Sequence, residues 1–587
     1  MRLHVSVSVH FRLSSPVVAL LCLAGAMHAQ ELHRLKELTP FTMQGNVSGT
    51  MTGNSISGID RRQMPFFWML QGSALATVYD VQLPFSFVFS ERERSFQQPF
   101  NEFGISPTYK WMKLHLGYRS QSWNRYTVNG MRFLGAAVEL LPEDFAFAAM
   151  YGRLARAVEE DAANPLAVPA YSRSGWGVMA KMGNDEGFFQ LSGFWSVDDT
   201  TSLRSLPTYV RPQENVTSAF SAFFVFFDWL SADLDVGASF LTQNRLSPEL
   251  SENGLSGKKQ SNRVGHFKDY LDVRTSSTLS FATRAGLLFR FPWFGARLEY
   301  ELIEPEFTSH GSYYFNSDVQ NITLAPSATL LDGMLRLTAS LGVQSDNVGN
   351  TKAATTTRLI TSVNAGWTPN EMWNIDGQLS NYATSQAATR EPLNDSIRIR
   401  NVNTSIQLTP RMMLESDELR HVVMLSVASM VYDDMNIVSG SFSGSSCTTL
   451  SLSYMLGFKS SPWSTGASVN WSGNETSFGV TNNTGISVNG ATSWYEGALN
   501  LSLAIGYSVI TMGSAGPSGV FTETFSTGYR ASGNDQFSLS VSGSQNGGGS
   551  EYNPAFREVT AAFNYTRALS WTPVEARAPA PAPESAP

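Results

Sequence analysis

Apolar and polar residues alternate along most of the chain in runs of about ten residues, a pattern typical of β-strands with one apolar face. In the run 278–291, leucine, phenylalanine and alanine fill most of one set of alternate positions, and serine, threonine and arginine recur in the other. Pro292-Trp293 interrupts the run, and the pattern restarts at Phe294. Because successive side chains of a strand point to opposite faces, the two runs predict a hairpin with one apolar and one polar side.

Such hairpins recur about a dozen times between Phe41 and Tyr565, which gives about 26 strands with a range of about 22–28. A soluble sandwich uses this pattern for only a few strands. The repeat therefore predicts an all-β fold, a large transmembrane antiparallel β-barrel with lipid outside and water or protein inside.

Short and long connections alternate between the strands, and in bacterial barrels the short turns face the periplasm and the longer loops face outward. The short turns are predicted at Tyr79-Asp80, Trp111-Met112, Pro142-Glu143, Gly183-Asn184-Asp185, Trp229-Leu230, Pro292-Trp293, Asp332-Gly333, Pro369-Asn370 and Ser493-Trp494. The longer loops are predicted at 92–99, 156–170, 198–214, 244–274, 305–316 and 383–394. The charged loop 244–274 either folds into the lumen or stays exposed outside.

The two ends of the chain differ in composition from the strands. Residues 1–29 look like a cleaved signal peptide, because the apolar run 16–26 is too short to span a bilayer and Ala29 suits a cleavage site. A short periplasmic lead at 30–40 then precedes a single barrel at 41–571. The Ala/Pro-rich tail at 572–587 favours an extended, disordered periplasmic segment.

The composition fits a barrel in the cell outer membrane. Charged residues make up 15% of the chain, against about 25% in ordinary soluble domains. The net charge of -8 argues against nucleic acid as a partner. Tryptophans fall near many predicted strand ends, where amphipathic rings contact the membrane interface. Outer-membrane lipid is therefore the first expected partner.

The stretch from about 83 to 199 contains several distinctive motifs: Gln98-Pro99-Phe100-Asn101, Phe103-Gly104-Ile105-Ser106-Pro107, Tyr109-Lys110-Trp111, Leu114-His115-Leu116-Gly117-Tyr118-Arg119, Ala149-Met150-Tyr151-Gly152-Arg153 and Ala157-Val158-Glu159-Glu160-Asp161. This stretch resembles a poorly characterised family of large outer-membrane β-barrel proteins of Bacteroidota-type bacteria. The resemblance covers about a fifth of the chain. It implies the location and the fold, and it implies no substrate.

The alternation assigns individual side chains to the two faces of the barrel. The candidate lumen-lining residues are Lys113, His115, Arg119, Arg284, Arg290, Arg297, Glu299 and Glu301. Opposed charges inside a pore sort solutes by charge and size, although the same groups could simply pair and keep the wall polar. The candidate lipid-facing residues are Leu279, Phe281, Leu287, Phe289, Leu298 and Tyr300.

No catalytic or metal-binding motif is evident, and we predict neither an enzyme nor a cofactor. The histidines are scattered without a close pair, which argues against a metal site. After signal cleavage Cys447 is the remaining cysteine, so no intramolecular disulfide is expected. A serine hydrolase would need a histidine on a neighbouring strand. We expect His115 to line the lumen rather than to activate a serine.

Two functions fit these expectations. The first is a channel or transporter for solutes without a built-in plug domain, since the lead 30–40 is too short for one. The second is a scaffold barrel in a secretion, assembly or surface-attachment complex, with a protein partner in the lumen or at the periplasmic tail.

Overall fold

The computed structural model describes residues 41–79, 81–91, 102–160, 168–204, 209–250, 263–265, 267–313, 316–389, 398–513, 515–548 and 554–572. The predicted signal peptide, the lead 30–40 and almost all of the tail 572–587 lie outside these residues, as does the predicted loop 92–99. Within them, no helix combines the length and the hydropathy that a membrane span requires.

Antiparallel strands make up nearly all of the described chain, and their alternating sequence is the reason. The strands are β1 (Thr42–Ser57), β2 (Phe66–Val78), β3 (Val81–Ser90), β4 (Glu102–Ile105), β5 (Thr108–Tyr109), β6 (Met112–Ser122), β7 (Asn129–Leu140), β8 (Phe145–Ala155), β9 (Arg173–Gly183), β10 (Gly187–Asp198), β11 (Glu214–Phe227), β12 (Leu230–Thr242), β13 (Ser277–Arg290), β14 (Phe294–Ile303), β15 (Val319–Leu330), β16 (Leu335–Asp346), β17 (Ala354–Asn370), β18 (Trp373–Ala388), β19 (Arg400–Glu415), β20 (Leu419–Asp434), β21 (Ser445–Phe458), β22 (Trp463–Thr476), β23 (Gly479–Trp494), β24 (Leu499–Met512), β25 (Ala515–Ser532), β26 (Asp535–Asn546) and β27 (Phe556–Trp571). A 3₁₀ turn at Leu331–Gly333 and the single helical turn α1 (Gly440–Ser443) lie between strands.

The sheet closes on itself, because β1 pairs antiparallel with β27 from Met43↔Trp571 to Ser57↔Arg557. β4 and β5 together occupy one position between β3 and β6, so the barrel has 26 strand positions. The prediction of a large antiparallel barrel with about 26 strands is confirmed. Closure leaves no sheet edge with unpaired backbone groups, which is what a span through lipid requires.

Both ends of the closed sheet lie on the side with the short turns. Most predicted short turns match, but two are displaced: β17 continues to Asn370 and β23 to Trp494, so the turns follow these residues. β18 also continues to Ala388, beyond the predicted start of a loop at 383. Long connections dominate the opposite side up to β21. On that same side, the connection from β22 to β23 at 477–478 and the connection from β24 to β25 at 513–514 are as short as the turns.

The outward face is apolar and exposed. Phe281, Leu287, Leu298 and Tyr300 are each about two-fifths exposed, and so are many residues at equivalent positions around the barrel. A series of exposed tryptophans follows the short-turn end: Trp111, Trp229, Trp293, Trp367, Trp373, Trp463, Trp494 and Trp571. Such a series is typical of a membrane–water interface.

The connection between β12 and β13 covers part of this outward face. Leu250, Val264 and Val273 form one buried apolar cluster with Phe240 of β12 and Leu279 of β13. Phe240 and Leu279 are cross-strand partners on the outward side. The prediction that Leu279 faces lipid is therefore wrong, because the side chain is buried by protein and only 8% exposed.

The same connection is held on the outside by a charged residue. Arg263 forms an ion pair with Glu304 at 2.9 Å, and its guanidinium lies 5.8 Å from the ring centre of the outward-facing Phe281. The described parts of the loop 244–274 thus lie against the outer surface of the barrel. The alternative that this loop folds into the lumen is wrong for these parts.

Candidate functional site in the lumen

Two other connections of the long-loop side turn inward and pack against the lumen wall. The first joins β6 to β7 at residues 123–128, and the second joins β14 to β15 and is described at residues 304–313 and 316–318. We refer to them as inner loop 1 and inner loop 2. Both contact the polar, lumen-facing side chains of β10, β11 and β12, which alternate with the lipid-facing residues of these strands.

Inner loop 1 is fixed by side-chain hydrogen bonds to three strands. Asn124 Nδ2 donates to Ser221 Oγ at 2.7 Å and to Asp235 Oδ1 at 3.0 Å. Gln190 of β10 donates to the carbonyl oxygen of Trp123 at 2.7 Å. Buried loop backbone needs such partners, since an unpaired polar group away from water is costly.

A glycine makes room for this loop. Tyr126 is fully buried, and its Cβ would lie 2.6 Å from a Cβ added at Gly237 of β12. Any side chain at position 237 would therefore push Tyr126 away from the wall. The absence of a side chain in the middle of β12 is what allows inner loop 1 to lie this close.

Inner loop 2 packs beside it on the same wall. The carbonyl oxygen of Thr308 accepts from Asn215 Nδ2 at 3.1 Å and from Ser239 Oγ at 2.6 Å. His310 contacts two strands. Its backbone N–H donates to Asn215 Oδ1 of β11 at 3.0 Å, and its Nδ1 lies 2.8 Å from Ser196 Oγ of β10. Burial, with a smaller effect of the nearby Arg173, holds the pKa of His310 well below its usual value.

The two inner loops contact each other. The rings of Tyr126 and Phe307 meet edge to face with centroids 5.6 Å apart, and Ser309 Oγ donates to the carbonyl oxygen of Thr127. Tyr126 and Phe307 form a buried apolar cluster with Ala219, Ala282, Ile303 and Val319. A second buried cluster beside it contains Val128, Phe133, Ala137, Met150, Leu154 and Phe194. Together they narrow one side of the lumen with packed protein.

A network of charges lies on the wall beside inner loop 1, on β12, β13 and β14. Arg284 Nη2 contacts Glu299 Oε2 at 2.5 Å, and Arg297 Nε contacts the same oxygen at 3.0 Å. Arg297 Nη2 also contacts Asp233 at 2.9 Å, and Arg284 Nη1 is 3.7 Å from both Asp233 and Asp235. We refer to these five residues as the charge network.

The charge network borders a cavity of about 710 Å³ that inner loop 1 partly covers. Arg125 of the loop contacts Glu301 at 2.8 Å and so ties the loop to β14. The space for the ion pairs depends on Gly286, where an added Cβ would lie 2.6 Å from both Arg297 Nη2 and Asp233 Oδ1. A side chain at this position would break the pair.

The structure brings half of the predicted lumen residues together. Arg284, Arg297 and Glu299 line this cavity, and Glu301, the cross-strand partner of Arg284, is paired with Arg125 of inner loop 1. Arg290 is exposed at the short-turn end of β13. Lys113, His115 and Arg119 lie on the lumen face of β6 and line a different cavity. Of the predicted lipid-facing residues other than Leu279, Phe289 stacks on Trp229 and the rest are exposed on the outward face.

Asp233 and Asp235 were not among the predicted lumen residues, although the alternation places them there. Both alternate with Leu234 and Val236 in β12, so they lie on its polar face. The inner loops were not predicted either, because their burial depends on contacts between distant strands. Among the described residues, no group of three or more histidine, cysteine, aspartate or glutamate side chains has the geometry of a metal site.

Comparisons with known proteins give no family assignment. The sequence matches no protein-family model, and no curated protein matches it significantly. Among solved structures, the ferric yersiniabactin uptake receptor FyuA from Yersinia pestis is 10% identical with a TM-score of 0.37, over 90% of this chain and 80% of that chain.

Two further barrels are similarly distant. The P pilus usher (PapC) translocation pore is 11% identical with a TM-score of 0.36, over 89% of this chain and 99% of that chain. The outer membrane protein opdK from Pseudomonas aeruginosa is 11% identical with a TM-score of 0.30, over 62% of this chain and 94% of that chain. At these scores and identities, the likeness says nothing about what this chain does.

Proposed function

We propose that this chain is a channel or transporter of the bacterial outer membrane, without a built-in plug domain, in which solutes pass the charge network and the inner loops. The membrane location is supported by the exposed apolar outward face and by the tryptophans along its short-turn end. The observation that carries the transport role is the partial constriction of a wide lumen.

The constriction covers only one side of the lumen. All contacts of the inner loops described above involve β7, β8, β10 to β15 or the other inner loop. Away from these strands, the lumen-facing Met430 of β20 and Met455 of β21 are 49% and 52% exposed, and the described residues leave them uncovered. A barrel this wide is not filled by its own wall side chains, and this supports an aqueous path beside the inner loops.

The charge network gives the wall of this path a net negative charge. Its three carboxylates outnumber its two guanidinium groups, and Glu301 adds a carboxylate that is paired with Arg125. Fixed charges in a narrow region of low dielectric attract ions of the opposite sign. We therefore expect cations to pass more readily than anions.

Ion selectivity of the purified protein in a planar bilayer tests this function. Under a salt gradient, the wild type should show a reversal potential of the sign expected for cation preference. The double substitution Asp233→Asn and Asp235→Asn should move this potential toward zero. Two results would contradict the proposal: no conductance in a correctly folded barrel, or a reversal potential that the double substitution leaves unchanged.

A second candidate function, a scaffold barrel bound to a protein partner, is favoured by one residue on the outward face. Glu523 of β25 lies between the exposed Phe521 and Phe525 and faces Ile505 and Gly543 of the neighbouring strands. A carboxylate in lipid is costly, and a cationic group of a partner would offset that cost. Photo-crosslinking from position 543 in cells should then give one defined protein adduct. Lipid adducts without any protein adduct would rule out this candidate function.

A further inference from the structure

A serine, a histidine and a glutamate form a continuous hydrogen-bonded chain on the lumen wall, away from the charge network. Ser106 Oγ is 3.0 Å from His115 Nδ1, and His115 Nε2 is 3.1 Å from Glu139 Oε1. The three residues come from three adjacent positions of the barrel: the break between β4 and β5, β6, and β7. Ser106 and His115 are 6% and 5% exposed.

The break in the strand explains why Ser106 reaches the histidine. Pro107 follows it and cannot donate a ladder hydrogen bond, so the strand is interrupted between Ile105 and Thr108. The backbone N–H of Ser106 donates to the carbonyl oxygen of Pro84 at 2.8 Å, which anchors the residue at the interruption. Its side chain then extends over the lumen face of β6.

One assignment of the protons satisfies every partner in this chain. Arg119 Nε donates to Ser106 Oγ at 2.8 Å, and the hydroxyl of Ser106 can donate its own proton to His115 Nδ1. His115 Nε2 then carries the ring proton and donates it to the carboxylate of Glu139. This is the protonation state in which a neutral imidazole can remove a proton from a serine hydroxyl.

A second guanidinium contact keeps Arg119 in place. Its Nη1 donates to Ser86 Oγ at 2.8 Å, and an added Cβ at Gly104 would lie 2.8 Å from this nitrogen. A cation fixed beside a nucleophile stabilises negative charge that develops on oxygen during acyl transfer. Arg119 is therefore suitably located for the oxyanion of a tetrahedral intermediate.

The serine lies at a cavity large enough for a small molecule. The cavity has a volume of about 610 Å³, and Ser106, His115, Arg119, Ser73, Ser86 and Lys113 are among its lining residues. It lies toward the short-turn end of β3 and β6, whereas the inner loops lie at the long-loop side. Its volume suits small carboxylic esters rather than long acyl chains.

We propose that this cluster is a hydrolase site for small carboxylic esters, with Ser106 as the nucleophile, His115 as the base and Glu139 as its positioning residue. Ser106 Oγ forms a bond to the acyl carbon while its proton moves to His115 Nδ1. The ester bond then breaks, and the alcohol leaves with that proton. Water attacks the acyl-serine in the same way, which releases the carboxylic acid and restores the serine.

A second serine–histidine pair in the barrel serves as an internal contrast. Ser196 Oγ lies 2.8 Å from His310 Nδ1, but Ser196 is fully buried beneath inner loop 2. The charged group near His310 is Arg173, which is paired with Asp198 at 2.6 Å. The site at Ser106 differs in having both a carboxylate behind the histidine and a cavity in front of the serine.

Labelling with an aryl fluorophosphonate tests the proposal on the full-length folded barrel. The reagent forms an oxygen–phosphorus bond with an activated serine and releases fluoride. We expect one adduct, mapped to Ser106 by mass spectrometry, and hydrolysis of p-nitrophenyl acetate. Ser106→Ala should abolish the adduct. His115→Gln should lower the labelling rate by about 10²–10⁴-fold, and Glu139→Gln should lower it by about tenfold.

The matched control is Ser196→Ala, since Ser196 also lies against a histidine but is buried beneath inner loop 2, outside this cavity. It should label as the wild type does. An absence of adduct at Ser106 in folded protein, or equal labelling of the wild type and His115→Gln, would overturn the proposal. Bilayer conductance of the same preparations reports the channel function separately, because it depends on the inner loops and not on this site.

Discussion

Tyr126 and Phe307 meet edge to face inside the barrel, although they belong to connections that are far apart in the chain. Each ring covers the other from the lumen, and aromatic pairs of this geometry contribute about 0.5–1.5 kcal/mol beyond the area that they bury. Their contact joins inner loops 1 and 2 into one constriction. The position of one loop therefore depends on the other.

Displacing Tyr126 tests the constriction directly. In Gly237→Val, the new side chain occupies the space of Tyr126, so inner loop 1 should leave the wall and single-channel conductance should rise. Overpacking of this kind costs about 1–3 kcal/mol. The matched control is Gly528→Val on the lumen face of β25, where an added Cβ meets nothing within 4 Å. Equal conductance in the two variants would contradict this account.

Removing one guanidinium from the charge network should destabilise the barrel. Arg284→Ala leaves Asp233 and Glu299 with Arg297 as their remaining partner in the network, and Asp235 with its hydrogen bond from Asn124, at an expected cost of about 1–3 kcal/mol. The measurement is unfolding by urea in lipid vesicles. Arg290→Ala is the control, because Arg290 is exposed at the end of the same strand and should change the free energy of unfolding by less than about 0.5 kcal/mol.

Adjacent positions on β24 should respond oppositely to a charge. Leu503 is 47% exposed on the outward face, so Leu503→Arg should cost about 2–4 kcal/mol if that face contacts lipid. Ala504 is its neighbour on the lumen face, and Ala504→Arg should cost much less. Similar losses of stability for both variants in the same unfolding assay would mean that the outward face is not in lipid.

Acid should weaken the attachment of inner loop 2. Because burial lowers the pKa of His310, the folded state prefers the neutral imidazole. Its contribution to stability is complete above the ordinary histidine pKa of about 6.5 and is lost progressively as the pH falls below that value. Conductance should therefore rise on acidification. In His310→Gln this rise should be absent, and a rise that persists would assign the effect to another group.

The barrel itself could be predicted because every strand carries the same local signal. The two faces of β13 and β14 follow directly from alternation, which is why Arg284, Arg297 and Glu299 were assigned to one wall without a structure. The number of strand positions follows from counting such runs. Errors at Asn370 and Trp494 are errors of strand length, since alternation continues into the turn.

Contacts between distant segments could not be predicted in this way. Tyr126 and Phe307 have no periodic signal, and their burial depends on Gly237 and on hydrogen bonds from strands far along the chain. Leu279 obeys the alternation and does point outward, but a loop covers it. His115 was assigned to the lumen correctly by alternation, whereas its proximity to Ser106 depends on the interruption at Pro107.

Single-channel recording of the wild type beside Gly237→Val tests the central claim most directly, that an aqueous path passes a constriction formed by the inner loops. The account predicts steady conductance for the wild type and a larger conductance for the variant. An absence of conductance in both folded barrels would contradict it. The next step would then be to identify a partner that fills the lumen.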